Sequence, residues 1–108
     1  MANTFRSNVA LNIETTANTV YTCPAATQTT LIGLTISNKS NGSVTANAFL
    51  RRSSVDYSII SNAVIVPGST LVPIGGDQKV VMQDADELKI TVSANNAVDV
   101  IASLLEIA

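Results

Sequence analysis

At 108 residues the chain has room for one modest hydrophobic core and not for two, so a single domain is expected. Charged residues are only 13% of it, the net charge is −2, and no basic cluster exceeds Arg51-Arg52, whose side chains on a strand would face opposite ways; direct nucleic-acid binding lacks its usual basic stripe. With no histidine and a single cysteine, serine or cysteine triads, histidine metal sites and intrachain disulfides have nothing to build on.

Residues 1–7 are polar, carry Phe5 and Arg6 and show no period, which predicts an N-terminal arm ahead of a domain spanning 8–108. Such an arm either moves freely or docks Phe5 on a neighbouring subunit. The stretch lacks the apolar core of a secretion signal, and no run approaches membrane-spanning length, so synthesis in a cytoplasm and no membrane partner are expected. Val9, Leu11 and Ile13 alternate with Ala10, Asn12 and Glu14, predicting a first strand over 8–15. A second, 20–23, stops at Pro24, and Cys23 reads as a small buried apolar residue.

The clearest central strand is 29–38. It places Ile32, Leu34 and Ile36 on one face and Leu31, Gly33, Thr35 and Ser37 on the other, with Gly33 marking a bulge or a close backbone approach. Asn41-Gly42 is a strong hairpin signal, so 44–52 is expected to pair back, with Val44, Ala46, Ala48 and Leu50 on one face. The segment 51–57 reads as a loop, and 57–63 either runs on towards Val66 or breaks at Ser61-Asn62.

From 63 to 92 the chain reads as four short strands between turns. Pro67-Gly68 fits a type II turn, and Gly75-Gly76-Asp77 makes a second break. Asp84-Ala85-Asp86-Glu87 reads as a solvated acidic tip, since its spacing does not fit a calcium loop. Leu88, Ile90 and Val92 then alternate with Lys89 and Thr91. After Asn95-Asn96, residues 97–107 fit either a helix, with Ala102, Leu104 and Leu105 as good helix formers, or a strand with Val98, Val100, Ala102 and Leu104 on one face, and the strand is chosen. The other face shows Ile101, Leu105 and Ile107 where a solvated sheet would show polar groups, which implies cover by another element or another chain.

About nine strands and no convincing helix predict an all-β fold, a single-domain antiparallel β-sandwich of jelly-roll-like form. Glu14 and Glu106 are too isolated in sequence to propose as an acid–base pair. The expectation is therefore no catalytic residue, no cofactor and no metal: not an enzyme.

The order Tyr21-Thr22-x-Pro24, Leu31-Ile32-Gly33-Leu34, Val66-Pro67-Gly68-Ser69-x-Leu71, Gly75-Gly76-x-Gln78-Lys79-Val80-Val81, Asp86-x-Leu88-Lys89-Ile90 and Ser103-Leu104-Leu105-Glu106-Ile107 resembles small structural proteins of tailed bacteriophages, notably of cyanobacterial and other aquatic phages. The resemblance covers residues 20–107. It implies a homo-oligomeric β-sandwich component of the virion, made in the host cytoplasm and bound to the major capsid protein or other virion proteins. A capsid decoration (cement) protein is the leading expectation, a neck, tail or fibre component the second. A host-surface binding module comes last, for want of tryptophan and exposed aromatic platforms. The expected contact residues are Phe5 and Arg6 in the arm, Arg51, Arg52 and Tyr57 around the loop, and Ile101, Leu105 and Ile107 on the last strand.

Overall fold

Apolar–polar alternation produces nine strands among residues 3–11, 13–75 and 79–107, which the computed structural model of the chain describes. They are β1 (Asn3–Ala10), β2 (Asn18–Thr22), β3 (Gln28–Asn38), β4 (Val44–Arg52), β5 (Val55–Ile65), β6 (Thr70–Ile74), β7 (Val80–Met82), β8 (Glu87–Val92) and β9 (Val98–Ile107). One sheet runs β1-β9-β3-β6, with β7 also on β3, and the other runs β2-β8-β4-β5; every pairing is antiparallel. β6 and β7 meet successive parts of β3, so they form one interrupted edge strand. The chain crosses between layers at nearly every connection, which is the jelly-roll form of the sandwich.

That crossing overturns one expectation. The Asn41-Gly42 turn reverses the chain but does not make a hairpin, because β3 and β4 lie in different sheets. Asn38 sets this path. Its side-chain amide donates to the carbonyls of Gly42 and Ile65, and its oxygen accepts from the Ser40 backbone N–H and hydroxyl. Asn95-Asn96 and the 83–86 turn likewise carry the chain from one layer to the other. The hairpin within a sheet is β4–β5, closed at Ser53 and Ser54, both at positive φ. Arg51, Arg52 and Tyr57 therefore sit on strands, not in a loop. Pro67-Gly68 behaves as expected: Gly68 has φ of 75° and the Ser69 N–H donates to the Val66 carbonyl.

The core lies between the layers. β9 contributes Val98, Val100, Ala102 and Leu104, and β4 contributes Val44, Ala46, Ala48 and Leu50, both as the alternation predicts. In β3 the inward residues are Leu31, Leu34 and Ile36, because the register on β9 shifts between Leu31 and Gly33 and Ile32 takes the extra position. The expected face containing Ile32 is thus wrong on its near side, although the bulge falls where Gly33 signalled one. β5 runs through Ser61-Asn62 without ending, by a register shift and a positive φ at Asn62.

The largest departure is at the N-terminus. The described part of the expected arm, residues 3–7, belongs to β1, which pairs over eight consecutive residues with β9. The strand ends at Ala10 and does not run on from 8 to 15; Val9 and Leu11 face outward, and Ile13 is buried beyond the strand. Met1 and Ala2 lie outside the described residues. β1 is also the regular edge: the β2, β5 and β6 edges each carry a register shift, and β7 is three residues long.

Candidate assembly interface

Register places the expected contact residues of β1 and β9 in rows across the outer face of the first sheet. Phe5 lies opposite Leu105, which continues to Thr30 and Val81. Two residues along β9 in one direction, Ile107 lies between Asn3 and Gln28; in the other, Ser103 lies between Ser7 and Gly33. One row further, Ile101 lies between Val9 and Thr35. None of these positions is charged. Phe5 is 75% exposed, Val9 71% and Ile101 48%, whereas Leu105 and Ile107 are half-buried. These thirteen positions, each occupying about 4.8 Å across the strands and about 7 Å along them, give an uncharged face of roughly 400 Å².

Of the expected contact residues these rows hold Phe5, Ile101, Leu105 and Ile107, and they also hold Val9 and Val81, which the expectation left out. Val9 falls in the alternation that predicts a first strand over 8–15, which does not say which face is outward. Val81 stands in an apolar run whose outward member the run alone does not reveal.

Arg6 belongs elsewhere. It turns inward at the open side of the sandwich, where its Nε donates to Glu106 Oε1 at 2.5 Å. The Tyr21 hydroxyl donates to Glu106 Oε2 at 2.5 Å and lies 2.8 Å from Thr29 Oγ1. Since the carboxylate can only accept, the tyrosine proton points at Glu106 and the threonine hydroxyl donates to the tyrosine oxygen. Cys23 Sγ, buried, lies 3.3 Å from Thr29 Oγ1 and from the Thr27 carbonyl. An open cleft of about 370 Å³ lies over this cluster, walled by Arg6 and Asn8 of β1 and by residues 19–22 and Pro24. Hydrogen bonds from Tyr21 and then Arg6 hold the Glu106 carboxyl below its usual range, against burial. Burial, then the bond to Glu106, pushes the Tyr21 phenol up to about 12.

Both shifts have consequences for stability. A carboxyl whose folded pKa is depressed stabilises fully above its unfolded value and loses that contribution as pH falls through the folded one. A phenol whose folded pKa is raised stabilises below its unfolded value near 10, and loses that contribution as pH climbs towards 12. Tyr21→Phe is expected to cost about 2 kcal/mol near neutrality, the worth of a buried hydrogen bond to a charged group, and to lower Tm by about 10 °C. It should also remove most of the wild-type loss of stability between pH 10 and about 12. Thermal melts across that range test both; a variant with the wild-type alkaline slope would mean that the phenol is not shifted by this site.

The remaining arginines are held within the chain. Arg51 forms a two-point contact with Asp56 across the β4–β5 hairpin, and its guanidinium lies 5.7 Å from the Phe49 ring centroid. Arg52 grips Asp86, which is 1% exposed and also accepts from the Gln83 backbone N–H. The acidic tip is therefore not simply solvated: its middle carboxylate is buried. Tyr57 is exposed on β5, in the other layer from the uncharged face. The structure thus splits the expected contact residues into one four-residue face and four dispersed basic or aromatic positions, Arg6, Arg51, Arg52 and Tyr57. Among the described residues no three potential metal ligands cluster, and no helix is long and apolar enough to cross a membrane.

These features define an antiparallel jelly-roll sandwich with an uncharged outer face. No protein-family model and no curated protein matches the chain. Among solved structures, one described as "Bacillus endospore appendages form a novel family of disulfide-linked pili" superposes with a TM-score of 0.51 at 13% identity, covering 98% of this chain and 88% of that one. At that identity the likeness is one of fold.

Proposed function

We propose that the chain is a structural subunit of an ordered assembly, and specifically a virion component of a tailed bacteriophage acting as a capsid decoration protein. The observation that carries the structural role is the uncharged face of β1, β9, β3 and β7, with Phe5, Val9, Val81 and Ile101 standing out from it and Leu105 half-buried among them. The virion assignment draws on the sequence resemblance described above. In this reading the face lies on the major capsid protein and the chain works by contact, without catalysis, cofactor, nucleic acid or membrane. A face of roughly 400 Å² is about half of one side of a standard protein interface. One copy would hold weakly, so tight attachment calls for a homo-oligomer that engages several sites at once.

The likeness in fold to a pilus protein supports a second reading, a filament subunit. That neighbour is described as belonging to disulfide-linked pili, whereas Cys23 here is 1% exposed, so a filament of this chain would rest on noncovalent contacts. A neck, tail or fibre position within the virion is the other alternative.

Quantitative gels and cryo-electron microscopy of purified phage particles distinguish these. Many copies spread over the head lattice are expected. A small fixed number at the neck or tail would move the chain there, and absence from particles would remove the virion reading. Filaments formed by the purified chain would favour the pilus-like one.

A further inference from the structure

The way β1 is held differs from the way every other long strand is held. Of its eight residues, Asn3 to Ser7 and Val9 are exposed, and its large apolar side chains, Phe5 and Val9, point out of the sheet. It therefore contributes no large side chain to the core. Among the described residues its ties are the backbone ladder to β9, the packing of Ala10 against the core, the Arg6–Glu106 contact and a hydrogen bond from the Asn8 amide to the Val20 carbonyl. Just beyond it the chain is firmly anchored. Ile13 is buried, its N–H donates to Val98 and its carbonyl accepts from Asn96. Leu11, exposed and outside the strand, stands between the loosely held and the anchored parts.

The seat for β1 is built by other elements. β9 is fixed on its opposite edge by β3 over ten residue pairs, and Glu106 is already positioned by Tyr21 from β2. What the seat lacks without β1 is a cation for a nearly buried carboxylate. An incoming strand must therefore carry a cation at the position of Arg6, together with an unbranched ladder and small or polar inward residues. The segment that meets those demands is β1 of a second copy.

We propose that β1 is an exchangeable strand, seated on β9 of its own chain in the isolated protein and on β9 of a neighbouring copy in the assembly. The same ladder and the same Arg6–Glu106 pair form in either arrangement, so the exchange is nearly neutral in contacts and is set by local concentration and by the chain at Leu11. The exchange does not depend on which assembly the chain serves. A strand from either source presents Phe5 and Val9 in the same rows, so the outer face is rebuilt unchanged.

Ser7 and Ser103 are direct cross-strand partners and both exposed, so Ser7→Cys with Ser103→Cys reports where β1 sits. Full-length double variant, isotopically labelled and unlabelled, is mixed, left at high concentration and mildly oxidised, then examined by intact mass and by mass spectrometry of linked peptides. The expected result is a labelled–unlabelled species joined from position 7 to position 103, rising at least tenfold over the range from dilute to concentrated protein and replacing the intrachain bond. The single-cysteine variants should not give that link. A second pair, Val9→Cys with Ile101→Cys, reads the same ladder two residues along and serves if the first pair disturbs folding. An exclusively intrachain bond at every concentration, in both pairs, would overturn the proposal. That failure would leave the docking face standing, because the face is complete with β1 in place on its own chain.

Discussion

With Ile101→Asp and Leu105→Asp together, attachment of the protein to its assembly is expected to weaken by about a hundredfold or more. Burying two aliphatic side chains is worth roughly 3 kcal/mol, which corresponds to that factor before the cost of desolvating two carboxylates is added. The domain should remain folded, since both side chains stand on the outer face of β9, away from Val100, Ala102 and Leu104. A loss of about 1–2 kcal/mol of stability is expected from placing aspartate on a central strand. The milder pair Ile101→Thr and Leu105→Thr keeps strand preference and should weaken attachment with a smaller change in Tm. Sedimentation with particles, size-exclusion chromatography and thermal melts read all of this. A double aspartate variant that is unfolded, with a threonine pair that binds normally, would place these residues in the fold's own stability and not in docking.

The second large effect is expected at Asp86. Replacing it with alanine should cost about 2–3 kcal/mol and lower Tm by about 10–20 °C. The carboxylate joins the end of β4, through Arg52, to the turn before β8, through the Gln83 N–H, and the backbone on either side of it pairs with Cys23. Arg52 can hydrate when released, because its side chain is well exposed, which keeps the effect below that of a fully buried pair. Asp86→Asn retains the shape and should lose about 1 kcal/mol. Hydrogen bonds from Arg52, with that from Gln83, hold the Asp86 carboxyl below its ordinary range despite burial. Its contribution is thus complete above the unfolded value near 4 and is lost as pH falls through the folded one. The stability gap between wild type and Asp86→Asn, measured by urea denaturation, should be full at pH 7 and shrink on acidification below about pH 4. A gap independent of pH would show that the ion pair contributes nothing.

Much of this arrangement is legible in the residues. In β9, whose residues fit a helix or a strand, the strand choice holds: the alternation from Val98 to Leu104 then identifies the inward face, and Ile101, Leu105 and Ile107 fall on the outward one. Turn chemistry predicts the reversal at Pro67-Gly68 down to its positive φ. What a turn signal does not carry is whether the chain stays in its sheet. Asn41-Gly42 speaks for a hairpin locally, while the sandwich sends β4 to the opposite layer and uses Asn38 to tie the crossing. The hairpin that does form closes on Ser53-Ser54, where two serines accept a backbone conformation that asparagine and glycine would adopt at less cost.

Long-range charge pairing was invisible for a different reason. Glu106 meets Arg6 across 100 positions and Asp86 meets Arg52 across 34, so neither carboxylate has its cation nearby in sequence. β1 escaped notice because its pattern is that of an exposed segment. Its strand character comes from the ladder offered by β9, not from burying apolar side chains.

The unequal regularity of the sheet edges limits how copies of the chain can pair edge to edge. Indefinite growth of a sheet from copy to copy needs two straight edges on each molecule, one to receive and one to offer. Here the edges at β2, β5 and β6 are kinked by register shifts, β6 also carries Pro73, and β7 is short, which leaves β1 as the straight one among the described residues. Two molecules can meet edge to edge at β1 around a two-fold axis, and the joined sheet then ends in kinked strands on both sides. Pairing of that kind closes on itself. By edge pairing alone, growth of the sheet from copy to copy stops at two molecules.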